Sequence, residues 1–246
     1  MEILVYPDAK IASEAAADRL AHWLTAPGTK TFIAAAGNSP LELYRLIAER
    51  GLKLFDLHVF ALDEYVGVPL DEPRNCANLL RRTVADAWGL SVDRFHTVSS
   101  LRYDAPAGIR EHESKISALG GTDVIVLGLG RNGHLGFNEP GSEPNSVGRV
   151  LDLEPVSVEA NTLWFGGDFV PSQGVTLGLR TILAARHILV VAFGSHKADV
   201  MGKAACGKED LGCPASFLQR CHNVEFYVDA AAAKNVGTHF RKKLQS

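Results

Sequence analysis

Four short segments of this 246-residue chain gather residue types that do chemistry. Gly37-Asn38-Ser39-Pro40 offers backbone N–H groups, an amide and a hydroxyl where a helix could begin. Such N–H groups suit a phosphate, although an ordinary strand-to-helix turn uses the same residues. Leu62-Asp63-Glu64-Tyr65-Val66-Gly67 sets two acids side by side after an apolar run. One carboxylate there can act as a general base; a helix cap or a salt-bridge partner is the competing role. Gly128-Leu129-Gly130-Arg131-Asn132-Gly133-His134-Leu135-Gly136-Phe137-Asn138-Glu139-Pro140 carries a histidine and a glutamate on a glycine-rich loop. That is a neutral-pH acid/base with a carboxylate to orient it. Gly194-Ser195-His196-Lys197 adds a lysine that could reach an anion, or simply stand solvated at the surface.

The elements that position these segments alternate. Residues 3–6, 31–36, 58–62, 122–127, 187–193 and 224–228 read as strands, rich in β-branched and aromatic side chains. Between them, 9–24, 41–50, 75–88, 105–119 and 195–206 read as helices. Ala16, Leu20, Trp23 and Leu24 share one face of the first, and Pro40 suits the first turn of the second. Ser195 is a candidate cap for the last of these helices. Residues 173–185 read as partly helical, and an Ala-rich helix is expected after the final strand. Alternation of this kind implies parallel strands joined by crossovers. The expected fold is α/β: an open, mostly parallel sheet sandwiched by helices, Rossmann-like, with residues 1–246 as a single domain. In such sheets ligands sit beyond the carboxyl ends of the strands, where all four segments fall.

The third segment opens with the GxGxxG spacing of dinucleotide-binding loops. That use requires a helix to begin inside the motif, and Gly136, Asn138, Pro140 and Gly141 forbid one. Composition excludes other classes. The formal net charge is −3, without the basic footprint of a nucleic-acid binder. No apolar run is long enough to span a bilayer, and no signal peptide is visible. Cys76, Cys206, Cys213 and Cys221 have no zinc-site spacing and read as free thiols of a cytoplasmic protein.

In combination, the Asp63-Glu64 segment, the Gly130–Pro140 segment and the Gly194–Lys197 segment resemble the glucosamine-6-phosphate deaminase / galactosamine-6-phosphate isomerase family, in order and spacing over nearly the whole chain. The resemblance implies isomerisation with deamination of a 2-amino-2-deoxyhexose 6-phosphate, without metal or organic cofactor. It implies that His134 assists opening of the sugar ring, oriented by Asn132 and Glu139, and that Asp63 removes the proton from carbon 2. Gly37, Asn38, Ser39 and Lys197 look like the phosphate site. Many glucosamine-type members place a phosphate-binding Arg where this chain has Leu163; Arg180 is the candidate to compensate. The implied partner is a small-molecule sugar phosphate, with neither nucleic acid nor membrane involved. A homo-oligomer is compatible with the resemblance, although the allosteric residues of hexameric members have no clear counterpart here. Two other readings share the fold. One is a sugar-phosphate lactonase, against which the Phe137-Asn138-Glu139-Pro140 ending argues. The other is a non-catalytic sugar-phosphate sensor, against which Asp63, His134 and Glu139 together argue.

Overall fold

The structure, a computed structural model, describes residues 1–237 and 241–242. Strand β1 (Glu2–Tyr6) leads into α1 (Ala9–Leu24), whose N-terminus is capped by the Asp8 carboxylate accepting from the Ile11 N–H at 2.9 Å. There follow β2 (Thr31–Ala34), α2 (Asn38–Glu49), β3 (His58–Ala61), β4 (Asp63–Tyr65) and α3 (Cys76–Leu80). Next come β5 (Phe95–His96), α4 (Ala105–Ala118), β6 (Val124–Gly128), β7 (Arg149–Asp152) and α5 (Pro155–Trp164). The chain continues through β8 (Gln173–Thr176), α6 (Leu179–Leu183), β9 (His187–Ala192), α7 (Ala198–Cys206), β10 (Val224–Asp229) and β11 (Arg241–Lys242).

Among the described residues, eight strands form one parallel sheet in the order β11-β1-β10-β9-β6-β2-β3-β5. Alternate side chains enter opposite cores. Ile33, Ile125, Leu127, Ile188, Val190 and Phe226 pack on one face, while Phe32, Ala34, Val124, Val126, Leu189 and Val191 pack on the other. Both faces are dry, which is why these strands read as continuous apolar runs. The fold is the expected α/β class.

The order of strands creates a crevice. From β2 the chain moves outward to β3 and β5; from β6 it moves the other way, to β9 and β10. The connections after β2 and β6 therefore diverge at the centre of the sheet, the switch point at which open α/β sheets bind ligands.

A second sheet, β4-β8-β7, is antiparallel and stands at this edge. Leu62 joins the two. Its N–H donates to the Ala34 carbonyl at 3.0 Å, and its own carbonyl accepts from the Leu177 N–H at 3.0 Å. Residues 173–185, expected to be partly helical, are divided between β8 and the five-residue α6. Residues 75–88 form α3 and then a π-helical stretch, Arg81–Asp86, with Asn75 as the cap. Ser195 makes no side-chain cap bond: a 3₁₀ turn, Ser195–Lys197, precedes α7. The expected Ala-rich helix after β10 is a run of turns over residues 230–235, held by the Asp229 carboxylate accepting from the Ala232 N–H at 2.7 Å. The remainder of that expectation lies outside the described residues. Among the described residues, no helix is long and apolar enough to cross a membrane.

Candidate active site

A cavity of about 220 Å³ opens at the switch point. Its lining brings together Gly37, Asn38 and Ser39 from the start of α2, Asp63 from β4, His134 from the loop after β6, and Lys197 from the turn after β9. Residues 35 to 197 of the chain thus converge on one cleft, as the four sequence segments foreshadowed. Among the described residues, no cluster of three or more His, Cys, Asp or Glu side chains converges in a way that could hold a metal ion.

Asp63 and Glu64 occupy opposite faces of β4. Glu64 points away from the cavity and is used structurally: its Oε1 accepts from the Tyr65 N–H at 2.7 Å and the Cys76 N–H at 3.1 Å, and its Oε2 from the Ala77 N–H at 2.8 Å. The competing role of a helix cap therefore falls to Glu64. Burial pushes its carboxyl up to about 7, although these N–H bonds act in the other direction. Asp63 faces the cavity. Burial, and next the charge of Glu64, push its carboxyl up to about 8. No donor among the described residues holds it. An unclaimed carboxylate with raised proton affinity, at the wall of a cleft, is suited to taking a proton.

The loop after β6 is folded so that His134 lies back over Gly130. The Gly130 N–H donates to the His134 carbonyl at 3.0 Å, and the Gly133 N–H to the Gly130 carbonyl at 3.1 Å. A Cβ on Gly130 would fall inside the imidazole ring, so this close approach needs glycine. No helix begins within the motif, in keeping with the exclusion of a dinucleotide loop. The His134 Nδ1 lies 3.4 Å from Glu139 Oε2 and 3.3 Å from Ser157 Oγ. The Asn132 amide donates to the same Glu139 oxygen at 2.6 Å, and its carbonyl oxygen accepts from the His134 N–H at 3.2 Å. Asn132 and Glu139 are therefore behind the imidazole rather than in the cavity. Burial alone would raise the Glu139 carboxyl, but hydrogen bonding and charge from His134, with help from Ser157 and Asn132, hold it below the usual carboxylate range. A proton on Nδ1, shared with Glu139, leaves Nε2 to exchange a proton in the cleft. Asn138 anchors the loop. Its amide donates to the Leu135 and Leu177 carbonyls at 2.9 and 2.8 Å, and its oxygen accepts from Arg149 at 2.9 Å. That combination of donors and acceptor is available to an amide and not to an acid.

On the far side of the cavity, Gly37 has φ +132°, a conformation disfavoured for other residues, and α2 begins there with no side-chain cap and no acid in its first turn. Lys197 is largely buried; its Nζ donates to the Leu129 carbonyl at 2.5 Å. Burial, and next the charge of Arg131, bring its ammonium down to about 8. Arg180 does not line the cavity. It is exposed on α6, where its N–H donates to the Ser146 carbonyl at 3.1 Å. Leu163 is likewise turned away, with 68% of its surface exposed. Sequence reasoning missed Arg131, Tyr65, Ser157 and Asn161, all of which line the cavity. Arg131 stood inside the quoted motif; Ser157 and Asn161 are the buried polar positions of α5, a helix with no apolar stripe to announce it.

The sequence profile of the glucosamine-6-phosphate isomerases/6-phosphogluconolactonase family matches residues 8–227. The glucosamine-6-phosphate deaminase of Cutibacterium acnes is 38% identical over 241 residues, covering 96% of this chain and 92% of that protein. The enzyme of the same name from Streptomyces coelicolor is 34% identical over 242 residues, covering 96% and 93%. Among solved structures, a monomeric glucosamine-6-phosphate deaminase superposes with a TM-score of 0.91 at 29% identity, covering 96% of this chain and all of that one. The 6-phosphogluconolactonase of Trypanosoma brucei superposes with a TM-score of 0.79 at 22% identity over 96% of this chain and 98% of that one, a likeness of fold.

Proposed function

This chain belongs to the glucosamine-6-phosphate isomerase/6-phosphogluconolactonase family, and from that premise we propose that it is an enzyme converting glucosamine 6-phosphate to fructose 6-phosphate and ammonia. The observation that carries the reading is the convergence, in one small cleft, of an unclaimed buried carboxylate, a histidine backed by glutamate, and a cationic wall. His134 exchanges a proton through Nε2 to open the sugar ring, with Glu139 and Asn132 fixing the imidazole. Asp63, in its ionised form, then takes the proton from carbon 2 of the open chain, its raised proton affinity favouring the transfer. The amine on carbon 2 supplies the electron pair of the resulting enolamine, so the chemistry needs no external electron sink. Protonation at carbon 1 gives the carbon-2 iminium, which takes up water and releases ammonia. Gly37, Asn38, Ser39 and Lys197 bind the phosphate and hold the sugar between the two proton-transfer groups. The reading takes residues 1–246 as one catalytic domain, supported by the two cores that share the main sheet.

The test is release of ammonia and ketose phosphate by the purified protein without added cofactor, with glucosamine 6-phosphate and galactosamine 6-phosphate side by side. Turnover of glucosamine 6-phosphate with the higher kcat/KM is the expected result. A preference for the galactosamine epimer would revise the substrate. Failure with both, together with hydrolysis of a 6-phosphosugar lactone, would replace the reading by the lactonase one.

A further inference from the structure

The cavity is lined by two cations, Lys197 and Arg131, neither of them paired with an acid among the described residues. Lys197 donates only to a backbone carbonyl, and Arg131, three residues beyond the end of β6, forms no ion pair among the described residues. Arg19, Arg45, Arg50, Arg74, Arg94, Arg186 and Arg220 are each paired with a carboxylate, and of the described arginines that are not, Arg131 is the one that lines this cavity. The helix that roofs the cavity, α5, contributes Val156, Ser157, Ala160 and Asn161 to its lining and no cation. Any positive charge for a bound anion therefore comes from the β6 and β9 loops, together with the uncapped N-terminus of α2. The two cations are close enough for the charge of Arg131 to depress the proton affinity of Lys197. In the free protein they repel; a dianion between them removes the repulsion and gains two charge-assisted contacts.

We propose that Arg131 is a phosphate-binding residue of this cleft, clamping the substrate's 6-phosphate against Lys197 and the start of α2, the role for which Arg180 is wrongly placed. The assignment rests on the sugar-phosphate reading above. A guanidinium gives the phosphate two parallel donors, and its place three residues before His134 ties anchoring of the phosphate to the loop that carries the proton-transfer group.

The experiment compares wild type, Arg131→Ala, Arg131→Lys and Arg180→Ala in steady-state turnover of glucosamine 6-phosphate, with inorganic phosphate as competing anion. Arg131 is exposed, so its truncation leaves the fold in place. Arg131→Ala is expected to raise KM, and the inhibition constant of phosphate with it, about ten- to hundred-fold, with kcat within about threefold. Arg131→Lys should recover part of that loss, and Arg180→Ala should leave both constants unmoved. Constants for Arg131→Ala within about twofold of wild type would overturn the proposal, as would a loss confined to kcat, which would assign Arg131 to the chemistry at His134. Should wild type turn over no aminosugar phosphate, the functional reading fails by itself. Calorimetric titration with inorganic phosphate then still decides Arg131: binding lost in Arg131→Ala upholds the anion site, and binding unchanged overturns it.

Discussion

Replacing Asp63 by Asn should make the protein more stable at alkaline pH while silencing it. In the unfolded chain an aspartate ionises near pH 4; in the fold Asp63 keeps its proton up to about pH 8. Below pH 4 both states carry the proton and the residue contributes no penalty. Between pH 4 and 8 the unfolded state has released a proton that the native state retains, so stability falls as pH rises and levels off above 8. Four units at ~1.4 kcal/mol each set a ceiling of about 6 kcal/mol, and water entering the open cleft reduces this to an expected ~2–4 kcal/mol. Asparagine has nearly the same shape and no charge to bury. For a chain of this length the change corresponds to a rise in Tm of about 5–10 °C. Thermal melts of wild type and Asp63→Asn at pH 4.5 and pH 8.5 measure it: the gap should be small at the lower pH and wide at the higher. A gap that does not widen with pH, or an Asn variant less stable at pH 8.5, would refute the claim that an unsupported charge is held there. Turnover of the same variant should fall by at least ~10³-fold, the scale of a lost general base.

Other perturbations separate the remaining parts of the site. Glu139→Gln keeps the shape behind His134 and removes its charge; kcat should fall about 10- to 100-fold with KM little changed, read from steady-state kinetics. Lys197 loses its proton above about pH 8, so KM for a phosphorylated substrate should climb on that side, whereas Lys197→Arg, which stays charged, should flatten the rise. Gly130→Ala drives a methyl into the imidazole and should lower kcat by at least ~10-fold while the far-ultraviolet dichroism is unchanged. Asn138→Ala removes three hydrogen bonds, to the Leu135 and Leu177 carbonyls and from Arg149, while each partner keeps another; a loss of about 1–3 kcal/mol in urea unfolding is expected.

The main sheet was legible because its strands are buried on both faces, and Ile125-Val126-Leu127 or Ile188-Leu189-Val190 admit little else. The second sheet was not. The residues of β7 are half-buried or exposed, with no alternation of apolar side chains, and β4 is three residues long and opens on two acids, directly after the change of sheet at Leu62. In α5 the signal is inverted: its buried residues are Ser157 and Asn161, facing a polar cavity, so hydrophobic periodicity passes over it. The alanine run at 230–233 has the composition of a helix, but the Asp229 side chain captures the N–H groups of Gly194 and Ala232 and sets a turn. Spacing placed Asp63, His134 and Lys197 at strand ends, and the topology gathers those ends. The direction of Arg180 carries no such signature. It sits on α6, a single turn on the other side of the second sheet's connection, and charge alone gave no indication of where it points.

The joint at Leu62 also makes the tandem order Asp63-Glu64 directional. Neighbouring residues on β4 face opposite ways, so deleting Leu62, or inserting one uncharged residue beside it, would turn each acid to the other's face without changing the protein's charge. A carboxylate would still reach the cleft, now on a stem one methylene longer, while the shorter acid would have to span the distance to the N–H groups of Cys76 and Ala77. The pair is therefore not a reserve of two interchangeable acids, and length polymorphism should be absent from this joint even where the loops on either side vary freely.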